Sequence, residues 1–339
     1  MNSMAQFSSV SLLLLLAFST LLLPCEVTAS QAVFSRDAGL VYLLRENSSR
    51  LIEIDIAASA CHQIDLSTEI KTQIHDLALS NSGFILCAAG DAIWSYNAAS
   101  GKCTKVCSSP KDTQFQAIAY DTKSGAILAA GPSKAHDSDS SDWSAFYISK
   151  SSGELDQVSS RYGTTIGCPT FGVDGTLYFV DNGDLWAGAI GEKNGSDPFR
   201  SLIAYRCAPM ASLIEENTSP ASTGLDDLAV TRRFVYSNDA RMGGSGWGSL
   251  IRFPRPSASI EGTGDDASIP VQTPAWNMLA KLFSSIEDVN DSPVDYLCAS
   301  PDGRHIFFAD PFRSDKISLI EDDGKPKQAE IKGLSKLVQ

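Results

Sequence analysis

One strand grammar recurs along most of this chain, and it limits the possible folds more than any other feature. A short apolar run leads into a Gly or Asp turn. A run rich in aromatic and branched residues follows, then a polar turn and a third run. "VDYLCASPDGRHIFFADPFRSDKISLIEDDGK", from Val294, shows the pattern. Relatives are "IHDLALSNSGFILCAAGDAIWSYNAASGKCTKVCS" from Ile74, "FQAIAYDTKSGAILAAG" from Phe115 and "GCPTFGVDGTLYFVDNGDLWAGAIG" from Gly167. "LDDLAVTRRFVYSNDARMGGSGWGSLIRF" begins at Leu225, and a degenerate first copy begins at Ala32. A fourth, more polar run closes several copies, as in "CHQIDL", "KCTKVC" and "PKQAEIKG". Period-two alternation between turn signals specifies antiparallel hairpins, not helices.

Six copies of a four-stranded unit predict an all-β fold, a six-bladed β-propeller of antiparallel blades over residues 31–333. A β-sandwich would leave the repetition of the grammar without a cause. Residues 334–339 read as a C-terminal tail. Two copies carry insertions. Pro132 to Asp142 is a polar loop, and Pro254 to Pro293 is long. Within the second, the pattern predicts a helix over 274–289, with Thr273 as N-cap and Pro274 at the first helical position. Trp276, Leu279, Phe283 and Ile286 share one face of it. That face is expected to pack on the propeller; the alternative is a lid over the channel. Asp181, Asp239 and Asp310 recur after second strands and are expected to hold turns.

The first thirty residues stand apart. Val10 to Leu23 is an uncharged apolar run, too short to span a bilayer and suited to a signal-peptide core, with small residues up to Ala29 and Ser30 for cleavage. A secreted protein is therefore expected. The formal charge of −13 becomes one unit less negative when Glu26 leaves with the leader. Such a surface repels phosphate backbones and disfavours nucleic acid as a partner. With 43% hydrophobic residues the chain can bury a substantial core, and a monomer is expected.

Seven cysteines remain after Cys25 is lost. Cys87 and Cys298 lie in apolar runs, while Cys61, Cys103, Cys107 and Cys207 are the better bridge candidates, with the connectivity open. Sequons at Asn47, Asn194, Asn217 and Asn290 are expected glycan sites on surface turns.

The pairs "IFFADPFRSDKISLI", "LYFVDNGDLWAGAI" and "FVYSNDARMGGSGWGSLIRF" resemble strand pairs of six-bladed propellers. That group includes NHL-repeat and YWTD-type domains, and the gluconolactonase, paraoxonase and strictosidine-synthase-like enzymes. Resemblance to the first two implies protein binding. Resemblance to the enzymes implies a divalent metal, usually calcium, in the central channel and hydrolysis of esters or lactones. In those enzymes a metal-binding Asn starts an inner strand in an "NGLAFSPDG"-type phrase. Here the matching places hold Asp226 in "DDLAV", Asp295 in "DYLCASPDG", His75 in "HDLALSNSG" and Gln116 in "QAIAYDTKSG". Asp226, Asp295 and His75 are the candidate metal ligands, with Gln116 a further channel residue.

Two other phrases carry no chemistry. "GGSGWG" (Gly243 to Gly248) has Trp247 where a nucleophile elbow needs Gly, and a strand follows it. "DSDSSD" (Asp137 to Asp142) lacks the Gly and distal Glu of a calcium loop. The first expectation is a secreted binding module for an extracellular protein or glycan, its ligand held by loops on a rigid disc. The alternative is a calcium-dependent lactonase or esterase.

Overall fold

The computed structural model describes residues 31–45, 47–132, 143–148, 155–160, 166–181, 184–192, 199–208, 225–239, 249–255, 287–290, 294–310, 314–321 and 324–338. Its strands fall into meanders of four. The first holds β1 (Ala32–Phe34), β2 (Leu40–Leu44), β3 (Arg50–Asp55) and β4 (Ala60–Asp65). The second holds β5 (Asp76–Leu79), β6 (Ile85–Ala89), β7 (Ala92–Asn97) and β8 (Lys102–Ser108). Then come β9 (Ala117–Tyr120), β10 (Ile127–Pro132), β11 (Trp143–Ile148) and β12 (Leu155–Ser160). Next are β13 (Gly167–Phe171), β14 (Leu177–Asp181), β15 (Asp184–Ile190) and β16 (Phe199–Ala208). β17 (Leu225–Val230), β18 (Phe234–Asp239), β19 (Ser249–Pro254) and β20 (Glu287–Asn290) follow. The last meander is β21 (Tyr296–Ala299), β22 (His305–Ala309), β23 (Lys316–Glu321) and β24 (Lys327–Glu330), before the helix α1 (Leu334–Val338).

Composition grades outward along each meander. All five residues of β6, "ILCAA", are buried, whereas most of β8, "KCTKVCS", is exposed. A strand covered on both faces reads as a continuous apolar run, and one at a free edge reads as polar. Small residues, Ala88, Ala117, Ala129 and Ala130, fill the narrow interior. The buried clusters form between neighbouring meanders. Val33, Tyr42 and Leu51 pack on Leu77, Ile85 and Cys87, and Phe115 and Phe146 pack on Leu86 and Ile93. Each first strand neighbours the next, β1 on β5, β5 on β9, β9 on β13, β13 on β17, β17 on β21, and β21 returns to β1. The fold is an all-β propeller.

The sheet count differs from six separate blades. Four meanders are independent four-stranded sheets, while β9–β12 and β13–β16 join into one eight-stranded sheet. The joint is a parallel pairing of β12 with β16, from Gln157↔Phe199 to Ser160↔Leu202. Asp156 receives the Arg200 Nε–H at 2.8 Å across it, and the guanidinium carbon lies 4.3 Å from the centre of the Tyr147 ring.

The expected helix over 274–289 lies outside the described residues up to 286, and its last part is not helical. Glu287–Asn290 is β20, paired antiparallel to β19. Its Glu-Asp-Val-Asn stretch completes a ladder that β19 would otherwise leave open. The expected tail is ordered: Leu334 and Val338 of α1 are buried among Phe34, Ile54, Phe307 and Ile317, at the junction of first and last meanders. Asp315 caps this segment, accepting from Gly333 N at 2.9 Å and Ser335 N at 2.8 Å.

The expected disulfides do not form among the described cysteines. Cys61, Cys87, Cys103, Cys107, Cys168 and Cys298 are thiols, and the Cys207 side chain lies outside the described residues. Cys103 and Cys107 share β8, four residues apart, which is about 13 Å of strand and too far to bridge. Cys61 sits instead against Lys332 O. Of the sequons, Asn47 is exposed at a turn with φ 50°, and Asn290 lies in β20; Asn194 and Asn217 are outside the described residues.

Candidate functional site: the central channel

The six first strands leave one backbone edge each toward the axis of the ring. Between them lies a cavity of about 130 Å³, lined by Val33, Leu77, Ile118, Pro169, Leu228 and Cys298 among others. Every meander contributes to it. The first strands enter at one end, and their following turns, with Thr122, Val173 and Pro301, form the other.

The residues selected from sequence stand at the entering end. His75 and Gln116 are half-buried, and Asp295 is exposed. Their backbones extend the ladders: His75 N donates to Ala88 O at 2.8 Å, Gln116 N to Ala130 O at 2.9 Å and Asp295 N to Ala309 O at 3.0 Å. Asp226 is in β17, with its side chain outside the described residues. The four positions therefore share a level of the ring.

The buried acids lie one residue further in. Asp76 is 1% exposed and Asp227 is 5% exposed. Asp76 Oδ1 accepts Leu77 N at 2.7 Å, and its Oδ2 accepts Ile118 N at 2.6 Å, reaching from β5 to β9. Asp227 Oδ1 accepts Leu228 N at 2.8 Å in the same manner. Burial pushes the Asp76 carboxyl well above the ordinary carboxylate range. The two backbone N–H groups oppose that shift, and the charge of Asp227 adds to it. The same charge, after burial, raises the Cys298 thiol, so this channel cysteine stays protonated and is a poor nucleophile.

Sequence reasoning passed over Asp76 and Asp227, yet a signal was present. "HDLAL" and "DDLAV" share Asp-Leu-Ala in register, in the second and fifth copies. As for a metal, the local donors are mainly oxygens, the type a hard divalent cation takes. Among the described residues no three His, Cys, Asp or Glu side chains are grouped to hold one.

Among the described residues no helix is long and apolar enough to cross a membrane. No protein-family model matches this chain, and no curated protein sequence matches it. Solved structures do. A luciferin-regenerating enzyme is 8% identical over 83% of this chain and 83% of that one, with a TM-score of 0.53. Regucalcin from Agrobacterium tumefaciens C58, described as a calcium-binding protein, is 13% identical over 83% of this chain and 81% of that one, with a TM-score of 0.51. A gluconolactonase of Xanthomonas campestris is 12% identical over 84% of each chain, with a TM-score of 0.51. At such identities the likeness establishes the fold these proteins share with this chain, a β-propeller.

Proposed function

We propose that this chain is a six-bladed β-propeller that hydrolyses lactones or small esters with a calcium ion in its channel. One observation carries the reading: Asp76 and Asp227, on two first strands, are buried beside one channel within electrostatic reach of each other. Two carboxylates removed from water favour a cation or a shared proton. The similar folds described as a calcium-binding protein and a gluconolactonase support the same chemistry. The closed ring of six first strands supports six blades, the eight-stranded sheet counting as two.

In this reading Asp226, Asp295 and His75 at the entering end would hold the ion, with the buried charge of Asp227 one residue further in. A calcium ion held there would supply a Lewis acid for a substrate carbonyl. Asp76, whose two oxygens accept Leu77 N and Ile118 N, would hold the channel wall beside those ligands. Removal of residues 1–30 on secretion would leave a monomeric extracellular enzyme.

Calorimetric titration of the protein with calcium, alongside hydrolysis of a series of aliphatic lactones, tests this. One ion per chain is expected. Asp227→Asn and the Asp226→Ala, Asp295→Ala double variant should each lose the ion, and turnover should fall roughly a hundredfold or more. No binding heat together with no turnover would overturn the reading.

A second reading, a secreted binding module for an extracellular protein or glycan, is favoured by the opposite end of the ring. There the turns that follow the first strands hold exposed cations in fixed places, among them Arg36, Lys123 and Arg232.

A further inference from the structure

The channel cavity lies toward the turn end of the ring, away from the residues selected from sequence. Its wall is built from the last three residues of β1, β5, β9, β13 and β17 and the last two of β21. Thr122, Val173, Ser300 and Pro301, from the turns that follow, complete it. Asp76 and Asp227 stand one residue beyond this wall, and His75, Gln116, Asp226 and Asp295 stand further on. The two buried acids therefore separate the cavity from the entering end.

The wall has an unusual composition for this chain. Among the described residues it holds no Asp, Glu, Lys, Arg, His, Asn or Gln, although 20% of the chain is charged. Its polar side chains are the hydroxyls of Tyr120, Thr122, Thr170 and Ser300 and the thiol of Cys298. Ser300 Oγ is engaged in its own turn, donating to Asp302 Oδ1 at 2.6 Å and accepting His305 N at 2.9 Å. Both Asp76 oxygens accept backbone N–H groups, those of Leu77 and Ile118. A charged ligand here would give up its water and meet no opposite charge in the wall. The volume of about 130 Å³ is close to that of an apolar protein cavity of about 150 Å³ that holds benzene. No macromolecular segment of any length fits such a space. The mouth is marked by Val173, which is 38% exposed and packs over Gly303, its Cγ1 3.0 Å from where a Cβ there would stand.

We propose that the turn half of the channel is a binding site for a small uncharged molecule, a single apolar ring or short chain with one hydroxyl. The apolar part lies among Leu77, Ile118 and Leu228, and the hydroxyl is left at the mouth beside Thr122. The site is separate from the ion site of the hydrolase reading and does not depend on it.

Phenol is the probe, titrated into the full chain and followed by the methyl signals in NMR spectra. Binding should saturate at one phenol per chain with a Kd on the order of 1 mM. The methyls of Val33, Leu228 and Val230 should shift, while those of Val106 and Ile203, each 43% exposed on fourth strands, should not. Benzoate and benzylamine carry the same ring with a charge and should bind roughly tenfold more weakly or worse. Val173→Trp narrows the mouth from an exposed position and should weaken phenol binding about tenfold. Phe84→Trp, at a turn residue equally exposed but outside the wall, should bind like the parent. Shifts spread equally to Val106 and Ile203, or no saturation, would overturn the proposal. So would benzoate or benzylamine binding as tightly as phenol, or a Val173→Trp variant that binds phenol like the parent.

Discussion

The Asp76 carboxylate accepts the N–H of Ile118 at 2.6 Å, joining two neighbouring first strands at the channel wall. Its other oxygen accepts Leu77 N at 2.7 Å. One side chain therefore satisfies two backbone donors that no ladder reaches. Asp76→Ala should cost about 2 kcal/mol or more, because both donors lose a buried acceptor. Asp76→Asn keeps one acceptor oxygen and should cost less than Asp76→Ala. The pH dependence has a definite sign. An acid whose folded pKa is raised binds its proton more tightly when folded. Its contribution is full below the ordinary carboxylate value, about pH 4, and is lost as pH rises through the folded value. Urea unfolding of parent and Asp76→Asn over a pH series should show the difference shifting in favour of the variant as pH rises.

Asp315 behaves in the opposite sense. Bonds from Ser335 and Gly333 lower its pKa to about 2. Its contribution is present above the ordinary carboxylate value and is lost as pH falls through the folded value. Acidification, or Asp315→Asn, should loosen the segment 331–338 before the rest of the ring. Faster hydrogen exchange at the Gly333 and Ser335 amides, with β21–β23 still protected, would show it. Uniform loss of protection would contradict it.

Gly303→Ala should destabilise the protein by about 2 kcal/mol. The added Cβ would meet Val173 Cγ1 at 3.0 Å and Arg232 Cγ at 3.2 Å, on a backbone with φ of 67°. Gly101→Ala has the same φ handedness, 68°, with nothing within 4 Å of its Cβ. It should cost about 1 kcal/mol, from the backbone alone. Thermal melting of the pair separates crowding from conformation.

Arg200→Met should open the seam between β12 and β16. It leaves the Asp156 carboxylate, 9% exposed, without its guanidinium, at a cost of about 3 kcal/mol. Adding Asp156→Leu should recover part of that loss, because the buried charge is then gone as well. Denaturation of the two variants checks this, and equal stabilities would argue against the ion pair as the latch.

The strand grammar was legible because alternation and turn residues are local properties. Even the polar fourth runs, "CHQIDL" and "KCTKVC", became β4 and β8. The candidate site was legible only to within one residue. Turn alignment selected His75 and Asp226, while the buried carboxylates belong to Asp76 and Asp227. In a strand one step moves a side chain to the other face, and a turn cannot say which face the neighbouring sheet will cover. The seam of β12 and β16 and the docking of α1 depend on contacts distant in sequence, so no local pattern announced them. The thiols of β8 follow a similar logic: polarity marked Cys103 and Cys107 as bridge candidates, but sharing a strand keeps them apart.

Each meander is drawn from one unbroken stretch of chain, and the first and last meet through side chains, with no exchanged strand. The joint between Phe34 and Phe307, rings 6.3 Å apart and at 86°, is thus of the same kind as the other side-chain joints of the ring, the paired strands β12 and β16 being the exception. Topologically the molecule has no privileged starting point. A circular permutant that links the end of α1 to β1 and opens the chain between β8 and β9 should preserve every sheet.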